Sequence, residues 1–346
     1  MSDLLPFLPW HHDIAQAWLG RRDRFAHAWL IHGLAGIGKR QFALAAAASL
    51  LCEAPRQGLA CMQCAACLWL SSGSHPDLRR IRPDAVAAEE GAAAGEQETE
   101  ESKKAPSRDI RVEQLRALGN WFNTATHRGG WRVAVVYPAR AMNVITANAL
   151  LKVLEEPPEH TVFLLVADAP DLLLPTLVSR CRRLPLPVPD ARQSRAWLES
   201  EGIADPDQWL AAAGGAPLLA RRLAQSGAGP CPEWLASFIA GLADGPGRDI
   251  GALADELEKI APEVWIDALQ RMFIDLSLAS AGSPVRYFPA LARHTQRVAA
   301  RASAIRLSET GKWLAQQRAV AHHPLSAKLF THSTLQRSAL ACLPTG

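Results

Sequence analysis

The residues Gly33-Leu34-Ala35-Gly36-Ile37-Gly38-Lys39-Arg40 follow the apolar run Ala28-Trp29-Leu30-Ile31. They keep the Gly-x4-Gly-Lys pattern of a phosphate-cradling loop. In such a loop glycines let successive backbone N–H groups converge on phosphate oxygens, and the lysine reaches the terminal phosphates. The residue after the lysine should be Ser or Thr, whose hydroxyl holds magnesium. Here it is Arg40. A short buried strand before the loop and an Ala-rich helix from Arg40 to Leu51 place the motif in a strand–loop–helix unit. The fold signal is therefore complete while the chemistry lacks its metal ligand.

A second absence lies downstream. Trp131 to Val136 reads as an apolar strand flanked by Gly129-Gly130, suited to the middle of a parallel sheet. A hydrolysing P-loop ATPase needs an Asp at the end of this strand for the metal, commonly followed by a Glu for the attacking water. The chain has Tyr137-Pro138 there, and no Asp or Glu occurs between Glu113 and Glu155 to substitute locally.

Seven cysteines are present, and Cys52, Cys61, Cys64 and Cys67 bunch together. In a cytosolic chain this bunching argues for metal over disulfides. Four thiolates around a tetrahedral zinc make a closed, structural site. Free thiols on an Ala-rich helix are the alternative. An iron–sulfur cluster fits less well, because Leu68-Trp69-Leu70 stands where another cysteine would be wanted. His75-Pro76-Asp77 follows as a turn, with His75 surplus to a site that four thiols already fill.

With 346 residues the chain has room for two or three domains. No apolar run approaches a membrane span, and Met1 to Trp10 lacks the basic start and apolar centre of a signal peptide. A cytoplasmic protein that does not contact membrane is expected. The formal charge of +3 hides an asymmetry: Ala85 to Ala105 is at −4, leaving the remainder at +7. Residues 84–107 are rich in Ala, Gly and Glu and lack aromatics, so they read as a disordered surface insertion, either a spacer or an acidic arm.

Helices are expected over Pro9 to Phe25, from Asp109 onward, and over Asn148 to Glu155 before Glu156-Pro157-Pro158. Strands are expected at Leu78 to Ile81 and Thr161 to Ala167. Ser179-Arg180-Cys181 precedes Leu184 to Pro189, which reads as an extended linker. Beyond it only helices are expected: Ala191 to Gly202, Pro206 to Ala213 and Pro217 to Gln225, then about five more from Glu233. Trp265, Phe273 and Trp313 belong to core or interface there.

Taken in order, Gly33 to Lys39, the four cysteines, His75-Pro76-Asp77, Asn148 to Pro158 and Ser179-Arg180-Cys181 resemble the bacterial clamp-loader subunits of the DNA polymerase III holoenzyme. The likeness runs from about Pro6 to Val188 and thins to architecture alone in the C-terminal third. It implies an α/β P-loop (AAA+) domain with a parallel sheet over residues 1–187. A helical lid over 188–229 and an all-α collar over 230–346 would complete the subunit. Within the family the damaged nucleotide site is similar to the delta-prime type rather than the ATP-hydrolysing gamma/tau type.

The resemblance implies that Arg180 acts in trans as an arginine finger on ATP bound by a neighbouring subunit. The alternative is a solvated basic turn with Arg182 and Arg183. Gly33, Gly36, Gly38, Lys39 and Arg40 would form a degenerate nucleotide site without productive ATP, though Lys39 still permits phosphate contact. The lid arginine of active members aligns near Leu218, with Arg221 and Arg222 a turn too late. The implied partners are gamma/tau and delta subunits in a five-membered ring, the sliding clamp and primed DNA. Two other functions are open: a gamma/tau-like ATPase, and a zinc-containing nucleic-acid-binding module with an inert P-loop.

Overall fold

A computed structural model describes residues 6–20, 25–91, 105–122, 124–127, 130–227, 229–245, 250–321 and 326–344. These fall into two compact units, Met1–Gln193 and Ser194–Gly346. No described helix is long and apolar enough to cross a membrane.

The first unit is built on five parallel strands. In chain order its elements are α1 (His12–Leu19), β1 (Ala28–His32), α2 (Lys39–Leu51), α3 (Ala65–Ser71), β2 (Leu78–Ile81) and α4 (Asp84–Glu89). There follow α5 (Val112–Phe122), β3 (Arg132–Val136), α6 (Val144–Glu155), β4 (Thr161–Ala167), α7 (Pro175–Ser179) and β5 (Arg182–Pro185). The sheet order is β2-β3-β4-β1-β5, so β1 lies between β4 and β5. β3 and β4 are buried at every position, as expected of strands covered on both faces. α2 is buried almost all round, which its run of alanines permits by letting backbones approach closely.

The helix expected over Pro9 to Phe25 is shorter: a 3-10 turn at Pro9–His11 leads into α1, which stops at Leu19. Gly20 caps it through its N–H to the Gln16 carbonyl, and residues 21–24 lie outside the described set.

Two expectations are corrected. Leu184 to Pro189 is not simply a linker, because β5 includes Leu184 and Pro185, and the Leu186 N–H continues the ladder to the His32 carbonyl at 2.7 Å. The alternation that aims Leu186 at β1 turns the nitrogens of Pro185 and Pro187 to the open edge, where proline costs no ladder bond. Nor is residue 84 the start of a disordered insertion. Residues 84–91 are ordered as α4 and its end, and Glu90 is buried. Residues 105–107 at the far end are described too, the Ser107 carbonyl accepting the Ala85 N–H at 3.0 Å, while residues 92–104 lie outside the described residues.

The second unit is helical: α8 (Ala191–Ser200, which begins just before the boundary), α9 (Pro206–Ala212), α10 (Pro217–Gln225), α11 (Glu233–Asp244) and α12 (Ile250–Leu257). α13 (Pro262–Ser280), α14 (Ala292–Ala299), α15 (Ala304–Val320) and α16 (Ala327–Ala341) complete it. Six helices, not about five, are thus described from Glu233 onward. Their shared core centres on Trp265, Leu269, Phe273 and Leu276 of α13, while Trp313 is half-buried under the Arg337 guanidinium. The buried Asp275 carboxylate accepts the backbone N–H groups of Arg286, Tyr287 and Phe288, fixing the loop after α13. The turn between α9 and α10 rests on that loop: Arg286 donates to the Gly214 carbonyl at 3.1 Å, and Tyr287 packs on Gly214.

Candidate nucleotide site and metal centre

The Gly-rich loop sits at the carboxyl end of β1 and leads directly into α2. Open α/β sheets place their ligands outside this edge. Gly36 and Gly38 take φ of 82° and 96°, and Gly38 is the residue that starts α2. Gly33 has φ of 153°, and a Cβ there would stand 2.4 Å from the Leu186 carbonyl oxygen. The loop is anchored from behind as well. The Ile37 side chain is fully buried, and its carbonyl accepts the Trp10 indole N–H at 2.9 Å.

Lys39 is buried and its charge is engaged. The ammonium donates to the Leu34 carbonyl at 2.5 Å and meets the Asp168 carboxylate at 2.6 Å. Asp168 stands one residue past β4, and Ala167 is in register with His32, the residue before Gly33. The parallel pairing therefore delivers this carboxylate to the loop. An acidic residue just beyond the apolar run 161–167 was the signal that could have found it.

Arg40 does more than leave out a hydroxyl. Its guanidinium lies 3.0 Å from Glu90, which also accepts the Tyr137 hydroxyl at 3.1 Å and pairs with Arg82 at 2.9 Å. Arg80 is 4.0 Å from the same carboxylate. Positions 40 and 137, where a hydrolysing relative would hold magnesium, are thus tied together through one buried carboxylate from the end of α4. Burial pushes the Tyr137 phenol well above its ordinary range, so it stays a donor. Glu90 and Asp168, the carboxylates in contact with Arg40 and Lys39, are both engaged by cations. The set does not fit a magnesium–triphosphate complex held in the usual way.

Arg180 follows α7 on the surface of the same unit. It donates to the Thr176 carbonyl at 3.0 Å and pairs with Glu155, the last residue of α6, at 2.5 Å. About a third of its side chain is exposed. Both contacts come from the ends of α6 and α7, and both side chains of the ion pair are partly exposed. Leu218, Arg221 and Arg222 lie on α10 in the other unit, where Arg221 pairs with Glu201 at 2.8 Å.

The four cysteines converge. Their sulfurs all lie within 4.8 Å of one another, and those of Cys52 and Cys64 are 3.8 Å apart. A tetrahedral centre with metal–sulfur bonds of ~2.3 Å requires sulfur separations of ~3.8 Å, so the donor set fits a thiolate-bound metal. Cys52 ends α2 and Cys64 precedes α3. Backbone N–H groups of Gln63 and Cys64 lower the Cys61 thiol to about 6, whereas burial raises Cys67. His75 is not among the ligands. Its Nδ1 accepts the Asp77 N–H at 3.1 Å, the role of a turn residue.

The part of the chain that carries the Gly-rich loop, the four cysteines and Arg180 has known relatives. A family model described as DNA polymerase III, delta subunit, matches residues 17–190, just over half of the chain. The chain belongs to that family. Within the DNA polymerase III delta family it is delta'-like. It is 41% identical over 227 residues to DNA polymerase III subunit delta' of Pseudomonas aeruginosa, covering 64% of this chain and 62% of that one. To the delta' subunit of Haemophilus influenzae it is 33% identical over 235 residues, covering 66% and 63%. It is also 33% identical over 176 residues to DNA polymerase III subunit tau of Escherichia coli, covering 51% and 24%. The chain thus spans less than two thirds of the length of these curated relatives.

Proposed function

We propose that this chain is a non-hydrolysing, delta'-like clamp-loader subunit that supplies Arg180 to ATP held by an adjacent gamma/tau-type subunit. The observation that carries this reading is the ion cluster that joins Arg40 and Tyr137 through Glu90. Together with the Lys39–Asp168 pair, it leaves the chain's own loop without a group to hold magnesium. A guanidinium offered across an interface does not need that loop. It neutralises charge that develops on the transferred phosphoryl group, and Glu155 and Thr176 pre-set its position.

In this reading the α/β AAA+ domain ends near residue 187, residues 188–229 serve as a lid, and 230–346 form the collar of a five-membered ring with gamma/tau and delta. The ring helps place a sliding clamp on primed DNA in the cytoplasm, touching DNA through backbone phosphates without sequence preference. The four cysteines hold a structural zinc. The ion leaves no open coordination position for chemistry and ties the end of α2 to the start of α3.

The test is a reconstitution. The isolated chain is expected not to turn over ATP. In the assembled ring, Arg180→Ala is expected to slow turnover at the one site it serves by on the order of 10³-fold, removing that site's share of the ring's ATPase rate, with assembly intact. ATP turnover by the isolated chain would overturn the non-hydrolysing reading. An unchanged rate in the Arg180→Ala ring would overturn the finger.

A further inference from the structure

Ser49 ends the alanine run Ala45 to Ala48 of α2, and its side chain is fully buried. Serine is a poorer helix former than alanine, because its hydroxyl competes for backbone groups. This hydroxyl donates to the Ala45 carbonyl at 2.8 Å and accepts the Ala60 N–H at 3.1 Å. The first bond stays within the helix and leaves the oxygen lone pairs to face the loop. The second reaches across to the segment that brings the chain back from Cys52 to Cys61.

That segment is a small hairpin. Arg56 and Leu59 exchange backbone hydrogen bonds of 2.9 Å each way, around Gln57 and Gly58 at φ of 51° and 83°. Two successive positive φ values make the tight turn that suits a two-residue hairpin. Gln16 tethers the tip, donating to the Gln57 side-chain oxygen at 3.2 Å. The Ser49–Ala60 bond then fixes the return limb against α2 one residue before Cys61. From there the Cys61 N–H donates to the Cys52 sulfur at 3.2 Å, and the Cys64 N–H to the Cys61 sulfur at 3.3 Å.

The four thiols are not carried alike. Cys52 sits at the end of α2, Cys64 at the start of α3 and Cys67 within α3. Cys61 stands in the loop, so its place depends on how that loop is held. An ion that had to gather a free loop would lose binding energy to ordering it, and a loop already fixed avoids that loss.

We infer that Ser49 is a positioning residue of the metal centre, a hydroxyl outside the ligand set that holds Cys61 in place before the ion arrives. The inference rests on the four cysteines holding zinc, as proposed above. Groups that orient metal ligands from outside the coordination sphere are commonly worth about 10–100-fold in affinity.

The full chain, stripped of metal and kept reduced, is titrated with zinc against a chromophoric chelator. Cobalt(II) is titrated in parallel, its visible absorption reporting a tetrahedral four-sulfur site. Ser49→Ala is compared with Ser338→Ala. Ser338 is equally buried on α16, but its hydroxyl bonds back to the Thr334 carbonyl at 2.7 Å, within its own helix. Amide hydrogen exchange at Ala60 is followed in the metal-free wild type and in Ser49→Ala.

Ser49→Ala is expected to bind zinc about 10–100-fold more weakly and to give the wild-type cobalt spectrum once saturated. Ser338→Ala should match wild type. The Ala60 amide should exchange slowly in the metal-free wild type and faster in Ser49→Ala. Unchanged zinc affinity in Ser49→Ala, an equal loss in Ser338→Ala, or a fast-exchanging Ala60 amide in wild type would each overturn the positioning role and leave the zinc site standing. Wild-type chain that takes up no zinc would overturn the zinc reading and this inference with it.

Discussion

Glu90→Gln tests the ion cluster directly. The Glu90 side chain is only 7% exposed and Arg82 only 10%, so this pair at 2.9 Å is a buried one. Removing one partner of a buried pair leaves the other charge uncompensated, at a cost of about 3–5 kcal/mol. Glutamine keeps an oxygen for the Tyr137 hydroxyl and for Arg82, which pulls the estimate to the low end. Arg40 is 37% exposed, and Arg80 sits at 4.0 Å, so together they add no more than about 1 kcal/mol after solvent screening. A loss of about 3 kcal/mol is expected. For a folding unit of 150–250 residues each kcal/mol moves Tm by about 2–4 °C, so the first unit should melt about 6–12 °C lower. Scanning calorimetry of the full chain reads this, and hydrogen exchange at α4 and Tyr137 locates it. The double variant with Arg40→Thr should fall short of additivity by about 1 kcal/mol, because the two residues share one contact. A Tm shift under about 2 °C would mean that Glu90 is solvated and that the cluster does not tie positions 40 and 137 together.

Other outcomes follow from single contacts. Burial, with His12 and Lys39 adding like charge, lowers His11 to about 4 from its ordinary 6.5. The unfolded chain then binds the extra proton across that window, and stability should fall as pH drops from about 6.5 to 4, by up to about 3 kcal/mol. His11→Phe should flatten that part of a denaturation-versus-pH series. Gly33→Ala forces a Cβ to 2.4 Å from the Leu186 carbonyl at a φ that side chains rarely adopt, and chemical denaturation should show a loss above about 2 kcal/mol. Cys64→Ser should take bound zinc from about one equivalent toward none by elemental analysis and lower Tm with it. Wild-type chain purified without metal would refute the staple.

Much of the first unit was legible because its signals are local. The strand–loop–helix around Gly33 to Arg40, the strand Thr161–Ala167 and the cysteine spacing each declare themselves within a few residues. What the sequence concealed depends on partners far along the chain. Glu90 stands in an Ala- and Glu-rich stretch that reads as solvated, and only the convergence of Arg40, Arg82 and Tyr137 makes its burial favourable. β5 was hidden by prolines whose cost vanishes on an open edge, a fact of sheet position that composition does not carry. Asp168 was missed because a search between residues 113 and 155 cannot see a carboxylate delivered by the neighbouring strand.

The survival of the glycines needs no nucleotide to explain it. Gly33 must lack a side chain because the Leu186 carbonyl occupies that space, and Gly36 and Gly38 turn the chain with positive φ into a helix buried nearly all round. Ile37 is fully buried under the Trp10 hydrogen bond, so the loop is core structure on one side. Lys39, the residue that would reach for phosphate, is satisfied within the chain by Leu34 and Asp168. A phosphate entering the loop would have to displace Asp168 and draw Lys39 off the Leu34 carbonyl, losing a charge-assisted bond for each new one formed. Packing alone thus accounts for the glycines and Ile37, and the cancelled chemistry we propose accounts for the internal partners of Lys39. Arg180, by contrast, contacts Glu155 and the Thr176 carbonyl with about a third of its side chain exposed, which leaves room for the contact with a neighbouring subunit's phosphate that we propose.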